Sequence, residues 1–173
     1  MFERITEETF DEIFPLLEAA FPVTELRKKE DQRALLREEG YRLYGARRDG
    51  GFGAVFALWE IEDFLYIEHF AVAERYRGGG YGGKLLDKLT EGRTMLLEVE
   101  VPEDEMTRRR IAFYERHGLV FNDYPYLQPP MRKGQGMLPL RLMTKPAAID
   151  EKTYERYKKL LYRIVYKYEG EGK

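Results

Sequence analysis

Residues 64–89 read FLYIEHFAVAERYRGGGYGGKLLDKL. Phe64 to Ala73 is apolar on both alternating faces, the pattern of an interior strand covered on each side. After Glu74-Arg75-Tyr76-Arg77, the run Gly78-Gly79-Gly80-Tyr81-Gly82-Gly83 passes directly into Lys84 to Leu89, whose leucines recur at helical spacing. Met95 to Val101 (MLLEVEV) is the next strand, and the interval is long enough for a helical crossover to a parallel neighbour. Strand, glycine loop, helix and strand therefore form a βαβ unit, and the rest of the chain is arranged around it.

Upstream, Tyr41 to Arg48 and Phe52 to Ile61 flank Asp49-Gly50-Gly51 and predict a β-hairpin, with Glu62-Asp63 turning into the central strand. Thr6 is placed to cap a helix over 7–20, with Ile5 and Phe10 as a hydrophobic staple. Thr24 is placed to cap a second, more polar helix reaching Glu39 and closed by Gly40. Downstream, residues 105–117 predict a helix stopped by Gly118, and Leu119 to Asn122 and Met137 to Met143 predict two short strands. The intervening Asp123 to Gly136 is rich in Pro, Gly and Tyr and reads as a lid loop. Residues 150–168 predict a helix in which Tyr154, Tyr157, Leu161, Ile164 and Tyr168 form one apolar stripe, which points to docking on the domain or on a second copy in a homodimer. The expected organisation is one domain over residues 1–146 with a helical extension over 147–173.

A length of 173 residues suits one domain of ordinary size, and 43% hydrophobic residues permit a sizeable core. The formal charge of −2 argues against a nucleic-acid binder. With no cysteine and only His69 and His117, neither a disulfide scaffold nor a metal centre is expected. The start, MFERITEETF, lacks a signal-peptide core, and no apolar run approaches the ~18 residues of a membrane span. A cytoplasmic protein with no membrane partner is the expectation.

The glycine run fits three templates. As a P-loop it has Leu85 where Ser or Thr should hold magnesium. As a dinucleotide fingerprint it offers Gly78, Gly80 and Gly83, with Glu98 near the ribose-binding position. Against that reading, four polar residues separate it from its strand, and too little chain follows for a second set of βαβ units. The third template, R-x-x-G-x-G at Arg77, Gly80 and Gly82, resembles the acetyl-CoA signature of the GNAT N-acetyltransferase superfamily. Leu97-Glu98-Val99 is similar to that family's fifth-strand motif, and Ala112 to Leu119 (AFYERHGL) to its FYxxxGF-type helix end. Thr107 and Arg110 depart from it, standing where many members carry Asn and Ala.

The resemblance implies a GNAT-like α/β fold, with a mixed, mostly antiparallel sheet holding one parallel βαβ pair, flanking helices and, here, a C-terminal helix. It implies acetyl-CoA as donor, its pyrophosphate on Arg77, Gly78, Gly79, Gly80, Tyr81, Gly82 and Gly83 and its pantetheine amides on the main chain around Phe70, Ala71 and Val72. The acceptor would be an amine on a small molecule or a peptide. Amine acetylation needs a carboxylate to take a proton. Glu98, which shares a half-polar strand face with Glu100, matches the glutamate base of the family's ribosomal-protein acetyltransferases, and Glu68, taken to share a face with Tyr66 and Phe70, is the alternative. Tyr114 matches the family's general acid, and His117 reads as a helix-end residue. The competing readings are a catalytically idle CoA-binding module and, behind it, a dinucleotide-binding protein.

Overall fold

In the computed structural model, which describes residues 1–170, the chain forms one seven-stranded sheet with helices on both faces. Residues 171–173, the end of the expected extension, lie outside the described residues. The first strand, β1 (Phe2–Arg4), is missing from the sequence reading because three residues carry no detectable periodicity. Helix α1 (Phe10–Ala20) starts later than predicted, since the Thr6 N–H is held by the Thr9 hydroxyl (3.0 Å) in a turn. The second helix shrinks to α2 (Lys29–Ala34) and a 3₁₀ turn, Leu35–Arg37. The segment before it stays irregular, with Leu26 and Arg27 turned inward.

The hairpin forms as predicted from β2 (Tyr41–Arg48) and β3 (Gly51–Ile61). Asp49 and Gly50 both take positive φ (51° and 84°), as a primed turn requires. There follow β4 (Phe64–Val72), α3 (Tyr81–Thr90), β5 (Met95–Glu100) and α4 (Glu105–Arg116). The unpredicted Thr107 closes a capping box with Asp104 at the start of α4: its N–H donates to Asp104 Oδ1 at 2.7 Å, and its hydroxyl accepts from the Asp104 N–H at 3.2 Å. Strand β6 (Val120–Gln128) absorbs six residues of the predicted lid. It is an edge strand whose pairing skips between Asn122 and Tyr126, which leaves room for Pro125. Strand β7 (Leu138–Lys145) leads to α5 (Glu151–Leu160) and a π-helical turn, Leu161–Val165.

The strand order is β1-β2-β3-β4-β5-β7-β6, and only β4 and β5 run parallel. A doubly wound dinucleotide fold is thereby excluded. Along β5, Leu96 joins the core beneath α1 and α5, while Met95, Leu97 and Val99 join the core beneath α3 and α4. Glu98 therefore faces away from α3 and its glycine loop.

Tyr154, Tyr157 and Leu161 of the C-terminal stripe are buried against the sheet, with Tyr157 packed on Phe64 and Tyr154 donating to the Pro125 carbonyl at 2.6 Å. Leu160, next to Leu161, is buried as well, and further along Val165 takes the buried place predicted for Ile164, while Ile164 and Tyr168 are half-buried. The π turn adds a residue to the helical repeat and so rotates the apolar stripe. Among the described residues no helix is long and apolar enough to cross a membrane. Leu161 is fully enclosed. Leu161→Ala is expected to cost ~2–5 kcal/mol in urea unfolding through the cavity it leaves.

Candidate active site

Parallel pairing of β4 with β5 is confined to Leu65–Met95, Tyr66–Leu96 and Ile67–Leu97, although β4 runs on to Val72 and β5 to Glu100. On the other side of β4, Leu58 faces Ile67 and Ala57 faces His69, so Glu68 is an extra, bulged residue. The bulge reverses the alternation. Tyr66 and Ala71 pack in one core, whereas Phe70 stacks on Phe56 (4.3 Å between centroids) on the opposite face. Glu68 thus shares a face with Tyr66 but not, as predicted, with Phe70. Its side chain is fully enclosed while the residue remains partly exposed, so its exposure lies in the main chain along the parted edge.

Two cavities meet at this parting. One of about 370 Å³ lies between the strand ends and the Phe21-Pro22 turn, and one of about 570 Å³ lies over the glycine loop. Phe70, Val72, Arg77, Arg110 and Tyr114 line both. Around the second, Gly78 and Gly80 have φ of 81° and 76°, and a Cβ at Gly78, Gly79 or Gly80 would meet only open space. The next two glycines serve packing. A Cβ at Gly82 would come within 2.9 Å of Val72 Cγ2, and one at Gly83 within 2.5 Å of the His117 ring. Tyr81 packs on Tyr76, and Arg77 Nε donates to the Val72 carbonyl (2.9 Å). His117 bonds Asp87 through Nδ1 (2.8 Å), linking α4 to α3, instead of serving only its own helix end.

Glu98 is held by neutral donors alone. The Tyr126 hydroxyl donates to Oε1 (2.5 Å), Gln128 Nε2 to Oε2 (2.5 Å), and the Tyr166 hydroxyl lies 2.8 Å from both oxygens. Tyr66 lies behind, 2.9 Å from the Tyr166 oxygen. Burial pushes the Glu98 carboxyl above its usual range despite these donors. Burial and the same carboxylate also hold the Tyr66, Tyr126 and Tyr166 phenols well above 10, so they remain protonated donors.

Glu68 has the opposite environment. Burial alone would raise its pKa, but Arg27 (2.6 Å) and His69 (3.5 Å) pull it down to about 2. Arg27 also donates to the Val165 carbonyl (3.2 Å), which ties the α1–α2 segment to the π turn. Tyr114 reaches both cavities, and burial pushes its phenol up to about 12. Among the described residues no group of three or more His, Asp or Glu is placed to hold a metal. The loop after β6 lies across the α1–α2 segment through Arg132 to the Leu26 carbonyl (2.8 Å) and Gln135 to the Val23 carbonyl (3.0 Å). Phe21, Pro22, Gln128 and Met131 wall the first cavity, and Tyr124, in the connection also expected to wall it, instead stacks on Tyr154.

Residues 7–119 match the family model for the GNAT acetyltransferases. The chain belongs to the GNAT acetyltransferase family. A solved GNAT-family protein from Bacteroides thetaiotaomicron is 35% identical, with a TM-score of 0.90 over 96% of this chain and 98% of its own. YjbC of Bacillus subtilis (strain 168), an acetyltransferase by name, is 36% identical over 99 residues, which cover 56% of this chain and half of YjbC. A ribosomal-protein-alanine N-acetyltransferase from Brucella melitensis shares the fold (TM-score 0.60, 19% identity, 84% of this chain and 98% of its own).

Within this GNAT fold, the sequence reading of the carboxylate surroundings lacks Arg27 and Tyr166, whereas Gln128 comes from the connection expected to wall the acceptor pocket. Arg27 sits in a stretch read as a polar helix. Tyr166 lies off the predicted stripe, and no local pattern shows the π turn that aims it at Glu98. Because the Glu68 carboxylate needs its cation, Arg27→Met is expected to lower stability at pH 7 by ~3–5 kcal/mol in urea unfolding. The double variant Arg27→Met/Glu68→Gln should recover much of that loss. Since Glu68 is depressed in the folded state, its contribution should be present above about pH 4.5 and fade as pH falls towards 2 in the parent, and be absent from the double variant.

Proposed function

We propose that this protein is an acetyl-CoA-dependent N-acetyltransferase that passes the acetyl group directly to an amine. The observation that carries this reading is the meeting of two cavities at the parted strands, with the glycine loop on one side and a caged carboxylate, Glu98, on the other. The residues fit the donor. The loop at Gly78 to Gly80 leaves open space beside the N-terminus of α3, where backbone N–H groups favour a pyrophosphate. The main-chain edge from Glu68 to Val72 has no partner in β5 and, apart from the Val72 carbonyl held by Arg77, is free to bond an extended amide chain.

When bound, acetyl-CoA supplies a thioester whose carbonyl carbon is the electrophile and whose sulfur is the leaving group. Free backbone donors on the parted edge polarise that carbonyl without having to reorganise. Glu98 accepts the proton that the amine must lose, a task suited to a carboxylate raised by burial. A phenol at about 12 does not yield its proton to the thiolate of a thiol near pKa 8.5, so Tyr114 acts by donating a hydrogen bond to the departing sulfur. Glu68, fixed by Arg27 and kept ionised, shapes the parting instead of exchanging protons.

Three measurements test the reading. Gly79→Asp adds a carboxylate to the loop at a position with open space and no positive φ, so it should weaken acetyl-CoA binding in calorimetry by at least about tenfold without unfolding the chain. Glu98→Gln should keep acetyl-CoA affinity and lose ~10²-fold in turnover measured by thiol release, with recovery at high pH where the amine deprotonates itself. As the base must be ionised and Tyr166 favours its ionised form, Tyr166→Phe should move the acid limb of kcat/KM to higher pH. Tight CoA binding without turnover of any amine would return the chain to the idle-module reading.

A further inference from the structure

The first cavity carries more negative charge than an acyl transfer requires. Glu25, Glu98 and Glu100 line it, and against them stands Arg110, which bonds Glu100 Oε1 at 3.1 Å. Arg77 also lines the cavity but is bound to the Val72 carbonyl, and Glu68 is already neutralised by Arg27. Among the described residues neither Glu98 nor Glu25 is ion-paired, although Arg110 and His69 lie near enough to Glu25 to favour its charge. Among the described residues no side chain bonds the Glu25 carboxylate, although its main-chain carbonyl is held by His69 Nε2 at 2.6 Å.

A second observation points the same way. Gln128 is only 5% exposed, and its Nε2 is committed to Glu98, because a carboxylate can only accept. Gln128 lines the cavity, and its Oε1 is buried with no donor. Leaving a buried acceptor unsatisfied costs ~1–3 kcal/mol, a cost that a bound N–H group removes. An acceptor amine beside Glu98 has such N–H groups to give.

We propose that the acceptor carries two basic nitrogens: a reactive amine held between Glu98 and the free oxygen of Gln128, and a second, protonated nitrogen paired with Glu25. The proposal rests on the transferase reading only in naming the first nitrogen as reactive. Burial and the repulsion of Glu100 disfavour the charge of Glu25 more than Arg110 and His69 favour it, so a cation bound there relieves a strain already present. The apolar side chains of Phe21, Pro22, Met131 and Leu140 in the same lining suit a methylene chain joining the two nitrogens.

The test is calorimetry on the CoA-loaded protein with linear diamines of three to eight carbons, each set against the monoamine of equal length and the amino acid of equal length. At least one diamine should bind tenfold or more tightly than its monoamine, and the amino acid, whose carboxylate meets Glu25, should bind least. Glu25→Gln should reduce the preference for the diamine to less than about threefold, whereas Glu25→Asp, which keeps the charge, should retain it. Equal affinities, a preference that survives Glu25→Gln, preference for the amino acid, or no detectable diamine binding overturns the proposal. Binding is read apart from turnover, so a diamine that binds with the expected preference and is never acetylated refutes the transferase reading while leaving the two-nitrogen site standing.

Discussion

The parting of β4 from β5 depends on Glu68, the extra residue in β4, and on the Arg27 guanidinium that holds it. A carboxylate in that position with no cation would be too costly to bury, and the bulge would lose its anchor. With Arg27 in place, the strand turns its later residues to new faces and leaves β5 after three pairs. The same guanidinium reaches the Val165 carbonyl, so one side chain joins the α1–α2 segment, the central strand and the C-terminal turn. The cavity walls therefore come from three distant parts of the chain.

Glu68 and Glu98 stand on neighbouring strands, face the same side of the sheet and have opposite electrostatics. The first is bound by a cation and kept ionised far below neutral pH; the second is bound only by phenols and an amide, and burial governs it. Neutral donors orient a carboxylate without fixing its charge, which leaves it free to gain and lose a proton. That contrast is why base catalysis is proposed for Glu98 and not for Glu68, the alternative the sequence also offers.

The parts of the fold readable in the sequence are those set by local chemistry. Asp49-Gly50 makes a hairpin, alternating apolar residues make β4, and Gly118 ends α4 at φ 85°. The facing of β5 follows from simple alternation, so the face that Glu98 shares with Glu100 was legible, and the packing decides on which side of the sheet it lies. The errors share a cause of another kind. The Glu68 bulge, the inward turn of Arg27 and the π turn at 161–165 each add or redirect one residue in answer to a distant partner, and a periodic reading has no term for that. Residues 123–128 looked like a loop because Pro and Tyr cluster there, yet the edge of the sheet tolerates them.

The π turn gives the C-terminal segment an unusual kind of tolerance. Because one extra residue is wound into Leu161–Val165, deleting a single residue there lets the helix revert to its ordinary repeat while the chain beyond the turn keeps its facing, whereas rewinding the full-length segment into the ordinary repeat would swing that chain by ~100° about the axis. In the second case Tyr166 would leave both Glu98 and Tyr66, even with every side chain outside the turn unchanged. Length and winding are therefore coupled in this stretch: a chain one residue shorter here keeps the partner of its carboxylate only if it also gives up the π turn.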